Sequence, residues 1–160
     1  MQEAEARAAA DPAAVGPVAL LLAKFSNAVD HKQAETIAVL FAPDAVFAPA
    51  GNPVRGQAEI EAFYASRFAG DGLRRTRHTW SNIIVRPVSA VRAEYEAVLT
   101  NYVFDPGVSD ERIEVRIGNV WGVCGGQTPG AWRFETHYHE RVHAAAMPLI
   151  APTPPLQRID

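Results

Sequence analysis

Two hydrophobic rhythms divide this chain. Up to Phe68 the apolar residues recur every three or four positions; from Arg74 onward they tend to alternate with polar ones. Val15, Val18, Leu22, Phe25 and Val29 fall on one stripe, which predicts an amphipathic helix ending near Asp30. A short second helix is expected from about Lys32 to Phe41, with Ile37, Leu40 and Phe41 on one side and Ala42-Pro43-Asp44 as its stop. Asp44 to Ala48 reads as a brief strand, and Gly51, Pro53 and Gly56 mark a loop. A third helix over about Gln57–Phe68 carries Ile60, Phe63, Tyr64 and Phe68 inward.

The alternating region contains four long strand candidates: Arg74–Val88, Ala90–Phe104, Glu111–Cys124 and Ala131–His143. The breaks between them, such as Asp105-Pro106-Gly107 and Gly125-Gly126 to Pro129-Gly130, are turn chemistry. Short links between consecutive long strands predict an antiparallel meander. Helices segregated from a run of strands give an α+β fold class, with three helices packed on a strongly curved sheet and a conical pocket between them. The domain is placed at residues 13–143. Residues 1–12 lack an apolar stripe and are expected to be disordered. Residues 144–160 hold Pro148, Pro152, Pro154 and Pro155 and read as a tail that is neither helix nor inner strand.

Charge and composition narrow the function classes. The net charge is −3 with both signs mixed along the chain, so no nucleic-acid partner is expected. The single cysteine, Cys124, excludes an intrachain disulfide framework and fits a reducing compartment. The amino terminus lacks a signal-peptide core, and no apolar run reaches the ~20 residues of a membrane span. A soluble cytoplasmic protein is the expectation.

Asp30 and His78 stand out as ionisable residues in largely apolar stretches. A carboxylate and an imidazole held together in an apolar cavity make a general base that needs no metal or cofactor. Asp30 has a competing structural reading, because Asp30-His31-Lys32-Gln33 has the form of a capping box with Asp30 as N-cap. His78 shares a strand face with Trp80, Asn82 and Ile84, which is taken as the enclosed face. Asn119 lies in a row with Ile113, Val115, Ile117, Trp121 and Val123, and a polar amide buried there would need a partner, either a substrate or a neighbouring strand. Tyr95 and Asn101 share a face of the second long strand and are further substrate-binding candidates, with Phe25, Trp80 and Trp121 as aromatic pocket walls. His137, His139 and His143 have weak metal-ligand spacing; His137 and His139 share a face with Arg133, Glu135 and Arg141 that reads as outer surface, so no metal is assigned. Trp132, Phe134, Thr136 and Tyr138 form the opposite, core face. Val98, Thr100, Tyr102 and Phe104 make an outer sheet face too apolar for a solvated monomer, which predicts a homo-oligomer, most simply a dimer.

The order and spacing of these pieces resemble the SnoaL-like branch of the nuclear transport factor 2-like superfamily. The resemblance rests on Ala28-Val29-Asp30, on Leu40-Phe41-Ala42-Pro43-Asp44-Ala45-Val46-Phe47, and on Gly56 with Ile60 and Phe63. Arg77-His78 with Ser81-Asn82 and Ala131-Trp132-Arg133-Phe134 complete it. It implies a cystatin-like α+β barrel with a conical pocket. It also implies that Asp30 and His78 are similar to the Asp–His dyad of scytalone dehydratase and hexachlorocyclohexane dehydrochlorinase, and Asn119 to the dehydratase's pocket asparagine. Val29 and Phe47 stand where that dehydratase has tyrosines, and the first helix has no tyrosine for a steroid-isomerase oxyanion hole. The function this supports is a cofactor-independent lyase or isomerase acting on a small apolar, cyclic molecule by dehydration, isomerisation or cyclisation. The alternatives are a non-catalytic binding or assembly module and a ring-hydroxylase small subunit.

Overall fold

Burial follows the helical stripe closely: Val18, Leu21, Leu22, Phe25, Ala28 and Val29 are all buried along one face of the first helix. The computed structural model describes residues 12–49, 52–106 and 112–148. The first helix, α1, spans Pro12–Asp30; α2 spans Ala34–Ala38 and α3 spans Gly56–Gly70. The strands are β1 (Phe41–Pro49), β2 (Val54–Arg55), β3 (Arg75–Ser89), β4 (Arg92–Phe104), β5 (Arg112–Gly125) and β6 (Arg133–Pro148). They form one sheet of order β2-β1-β6-β5-β4-β3, which is curved but does not close.

The sheet is mixed. The β3–β4–β5–β6 run is the expected meander, but β1 pairs parallel with β6, because the chain returns to that edge only after the whole meander is built. α1 packs on β3 and α3 on β1, so the helices cover the concave side. Phe41, Phe134, Leu22, Ile37 and Ile60 are fully buried between these layers. Each such side chain contributes about 1.5–3 kcal/mol of transfer free energy.

Two boundaries differ from the hydrophobic pattern. α2 ends at Ala38 and Phe41 already belongs to β1. Pro43, expected to stop the helix, instead sits where β1–β6 pairing is irregular between Phe41 and Val46, a position that tolerates a missing N–H. Ala144–Pro148, expected in the tail, continues β6 against β5, with Val115 opposite Ala145 and Ile113 opposite Met147. No breaker lies between His143 and Pro148, so the strand continues through them. The expected disordered segment 1–12 lies almost wholly outside the described residues, as do residues 149–160 of the tail.

The curvature coincides with register shifts that decide where side chains point. A shift in β3 between Ser81 and Ile84 places Asn82 at φ +50° and turns Asn82 and Ile84 to the convex side, while His78 and Trp80 stay concave. A second shift pairs Cys124 with Phe134 but Val123 with Thr136, leaving Glu135 as an extra residue in β6. One extra residue inverts the facing of everything beyond it. His137, His139 and Arg141 are therefore on the concave side, and Thr136, Tyr138 and Glu140 on the convex side. This reverses the expected assignment of faces for β6 from Thr136 to Arg141; a further shift at Val142 returns His143 to the convex side.

Candidate active site

Asp30 is the last residue of α1, and the backbone around it explains why its side chain is free. Lys32 adopts φ +57°, the Lys32 N–H donates to Val29 C=O (3.1 Å) and the Gln33 N–H to Ala28 C=O (2.9 Å). This paired arrangement is a Schellman C-cap, which satisfies the helix end through the backbone. The capping-box reading of Asp30 is thus corrected: α2 has Gln33 as N-cap, with no side-chain cap hydrogen bond.

The carboxylate turns instead to β3. The Trp80 indole N–H docks α1 there by donating to Leu22 C=O (3.1 Å) and to the Ser26 hydroxyl. Asp30 Oδ1 accepts from the Thr76 hydroxyl (2.8 Å) and meets His78 Nδ1 at 2.6 Å, while Oδ2 accepts the His78 backbone N–H (3.1 Å). Both side chains of the pair are only 8% exposed. Burial pushes the Asp30 carboxyl up, but the hydrogen bonds from the His78 ring and backbone, the imidazole charge and the Thr76 hydroxyl outweigh it and hold the group below the usual carboxylate range. An imidazole whose Nδ1 is held by a carboxylate keeps Nε2 for chemistry on its other side.

His78 lines a cavity of about 100 Å³ within the cone, together with Phe25, Val29, Phe47 and Leu99 among others. This is smaller than the ~150 Å³ apolar cavity that holds a benzene ring, so without rearrangement it suits only a very small ligand group. Asn101, opposite His78 on β4, also lines it. Asn101 is 6% exposed, and its Oδ1 has no hydrogen-bond partner among the described residues. A buried acceptor without a partner is costly, so it is a natural place for a ligand donor.

The β6 shift adds groups that the hydrophobic pattern placed outside. His137 is 2% exposed, packed against Phe134 and Phe25 at ring distances of 4.8 and 4.9 Å. Burial, reinforced by the neighbouring His139, pushes His137 down to about 3, so it is neutral at pH 7. Its Nδ1 meets the Tyr95 hydroxyl at 2.6 Å. Burial also pushes the Tyr95 hydroxyl well above its ordinary value, with Cys124 adding to the shift. Tyr95 therefore belongs to a neutral buried pair beneath the cavity rather than to its lining. His139 is lowered by burial and then by Arg141, His78 and Arg67, and all four line the same cavity.

Asn119 and Trp121 lie elsewhere. The register puts Asn119 opposite Val98 and Trp121 opposite Glu96, on the convex face, where Asn119 makes a long contact with Glu140 (3.4 Å). The concave row of β5 is Glu114, Arg116, Gly118, Val120, Gly122 and Cys124. Its glycines have a steric cause: a Cβ at Gly122 would lie 2.0 Å from the Thr136 carbonyl oxygen, and one at Gly118 2.2 Å from His139 Nε2. The crowded concave side admits little bulk, so the more apolar row of this strand faces out. Among the described residues no group of three or more His, Cys, Asp or Glu is placed to hold a metal ion.

A family model described as the SnoaL-like domain matches residues 13–138. The chain belongs to that family. Solved structures with the same fold include a proposed scytalone dehydratase from Novosphingobium aromaticivorans, 18% identical with TM-score 0.69, covering 88% of this chain and 92% of that one. A type 2 hexachlorocyclohexane dehydrochlorinase is 16% identical with TM-score 0.67, covering 86% and 90%. A protein from Catenulispora acidiphila solved in complex with S-DNPA is 19% identical with TM-score 0.69, covering 82% and 95%. Identities this low speak for the fold alone. No curated protein matches the chain.

This SnoaL-like domain has a second, larger hollow of about 620 Å³ on the convex face, bordered by Ile84, Val98, Asn119, Trp121 and Tyr138. His78 lines the smaller, concave cavity and not this hollow. Trp121 stacks on Tyr138 there (5.8 Å, 20° between planes) and is 41% exposed. No helix among the described residues is long and apolar enough to cross a membrane.

Proposed function

We propose that this SnoaL-like protein is a cofactor-independent lyase or isomerase in which His78 is the general base. The observation that carries this reading is the 2.6 Å contact of His78 Nδ1 with the buried Asp30, beside an enclosed cavity. His78 Nε2 takes a proton from a carbon made acidic by an adjacent carbonyl or leaving group. The electron pair left behind moves to the carbonyl oxygen or expels the leaving group. Asp30 fixes the imidazole tautomer and stabilises the imidazolium that forms. Asn101, rather than Asn119, orients the substrate, and Phe25 and Leu99 form the walls. Small cyclic molecules with an acidic C–H, such as cyclic β-hydroxy ketones that lose water, are the substrates to screen. General base catalysis supplies about 10²–10⁴-fold, so His78→Ala loses that much turnover. A His78→Ala protein with full turnover of a substrate accepted by the wild type would sink the mechanism.

A non-catalytic small-molecule binder is the second reading, favoured by the modest volume of the concave cavity. It expects tight binding of a molecule that is returned unchanged. For assembly, the exposed Trp121, Ile84 and Tyr102 support a homodimer formed through the convex face.

A further inference from the structure

Three arginines from three separate elements converge on the concave cavity: Arg67 from α3, Arg116 from β5 and Arg141 from β6. The lining also includes His78, His137 and His139, and it contains no carboxylate. Arg116 is engaged by Glu114 through two hydrogen bonds, of 2.6 and 2.8 Å. Among the described residues neither Arg67 nor Arg141 has a carboxylate within ion-pair distance, although Glu114, already held by Arg116, is near enough to Arg141 to feel its charge. Arg74, Arg86 and Arg92 do form ion pairs, whereas Arg55, Arg75, Arg77 and Arg133, like Arg67 and Arg141, form none among the described residues; those four are exposed and lie away from this cavity.

What sets Arg67 and Arg141 apart is their place: with Arg116 they border one cavity whose lining includes no carboxylate. Cations crowded around an enclosed space repel each other and gain from an anion placed between them. Guanidinium groups also match a carboxylate geometrically, through paired N–H donors. Arg67 is half-buried and Arg141 exposed, which sets them where the cavity meets solvent, whereas Phe25, Phe47 and Leu99 form its apolar floor.

We propose that the ligand of this cavity carries an organic anion, most simply a carboxylate, held by Arg67 and Arg141 while its hydrocarbon part lies on the aromatic floor beside His78. This deepens the functional reading above and rests on the concave cavity being the reaction site. It changes the expected substrate from a wholly apolar ring to a small ring or chain with an anionic substituent.

Benzoate and its neutral isostere benzamide, titrated calorimetrically into the full-length protein at pH 7, test the idea without any knowledge of the substrate. Benzoate should bind about tenfold or more tightly than benzamide, as expected for charge-assisted hydrogen bonds. Arg67→Gln with Arg141→Gln should abolish that preference, and Arg67→Lys with Arg141→Lys should retain most of it because the charge survives. The wild-type comparison stands even if the glutamine variant does not fold. Equal binding of acid and amide, no binding of either, or a preference that persists in the folded glutamine variant overturns the proposal. The His78→Ala protein should keep the benzoate preference. Failure of the general-base mechanism would therefore leave the anion site standing, and loss of the anion preference would leave the base untouched.

Discussion

Replacing Asp30 by Ala removes one acceptor group from three donors at once: the Thr76 hydroxyl, the His78 backbone N–H and His78 Nδ1. The His78 ring is 8% exposed, so water cannot readily take the place of the carboxylate. Leaving a buried donor unsatisfied costs roughly 1–3 kcal/mol, and three coupled donors lose less than the sum, so Asp30→Ala should cost about 3–4 kcal/mol. For a domain of this size that lowers Tm by roughly 6–16 °C. Urea unfolding at pH 7 of Asp30→Ala, His78→Ala and the double variant measures the coupling, which should reach about 1.5–3 kcal/mol for a charge-assisted pair. The dependence on pH has a fixed sign. The Asp30 carboxyl is held below its ordinary value of 3.8 in the folded state, so its contribution is complete above that value and is lost as pH falls through the folded-state value. An Asp30→Ala protein within 0.5 kcal/mol of wild type, or a coupling indistinguishable from zero, would refute the reasoning that this carboxylate is held by three buried donors.

Three further outcomes follow from the same geometry. Gly122→Ala places a Cβ 2.0 Å from the Thr136 carbonyl oxygen, which forces the backbone to move and should cost about 1–3 kcal/mol in chemical unfolding. His137, held down to about 3, should show no imidazole titration by NMR between pH 5 and 8. Because the unfolded chain takes up that proton near 6.5 and the folded one does not, stability should fall as pH drops from 6.5 toward 3, with this site's slope approaching ~1.4 kcal/mol per pH unit; a His137→Gln protein with an unchanged slope contradicts this. Trp121→Glu on the convex face should shift the protein to a monomer in light scattering if that face joins two copies, with the concave cavity's ligand binding unaffected.

The helical part of the chain was legible because a helix needs only local spacing to reveal its buried stripe. Val18, Leu22, Phe25 and Val29 stand on the stripe and are buried. α1 ends at Asp30, as expected, yet the four residues around that end were read as an N-terminal box when the backbone makes a C-terminal cap. The difference lies in Lys32 adopting positive φ, a conformation that a lysine gives no reason to expect. The strands were legible as strands but only partly as faces. Asn101 and Tyr95 lie inward as their alternation suggested, whereas Asn119 and Trp121 lie outward because the tight concave side of β5 demands glycine instead of bulk. His137, His139 and Arg141 were missed as inward residues. Nothing in the alternation marks the bulge: Phe134 and His137, three apart, share a face only because Glu135 is an extra residue in the strand.

By itself the sequence determined the order of the elements, the end of α1 at Asp30, the buried stripes and the family pattern, all of which depend on neighbours close along the chain. The tertiary structure decided which side of each strand faces the cavity. That outcome depends on bulges at Asn82 and Glu135, and a bulge is set by the strand alongside, not by the residue that forms it. It also decided that Asp30 meets His78, 48 positions away, because that contact exists only once α1 is docked on β3. The three arginines at the cavity belong to the same class: each is an ordinary charged residue in its own segment, and only the curvature of the sheet brings them to one place.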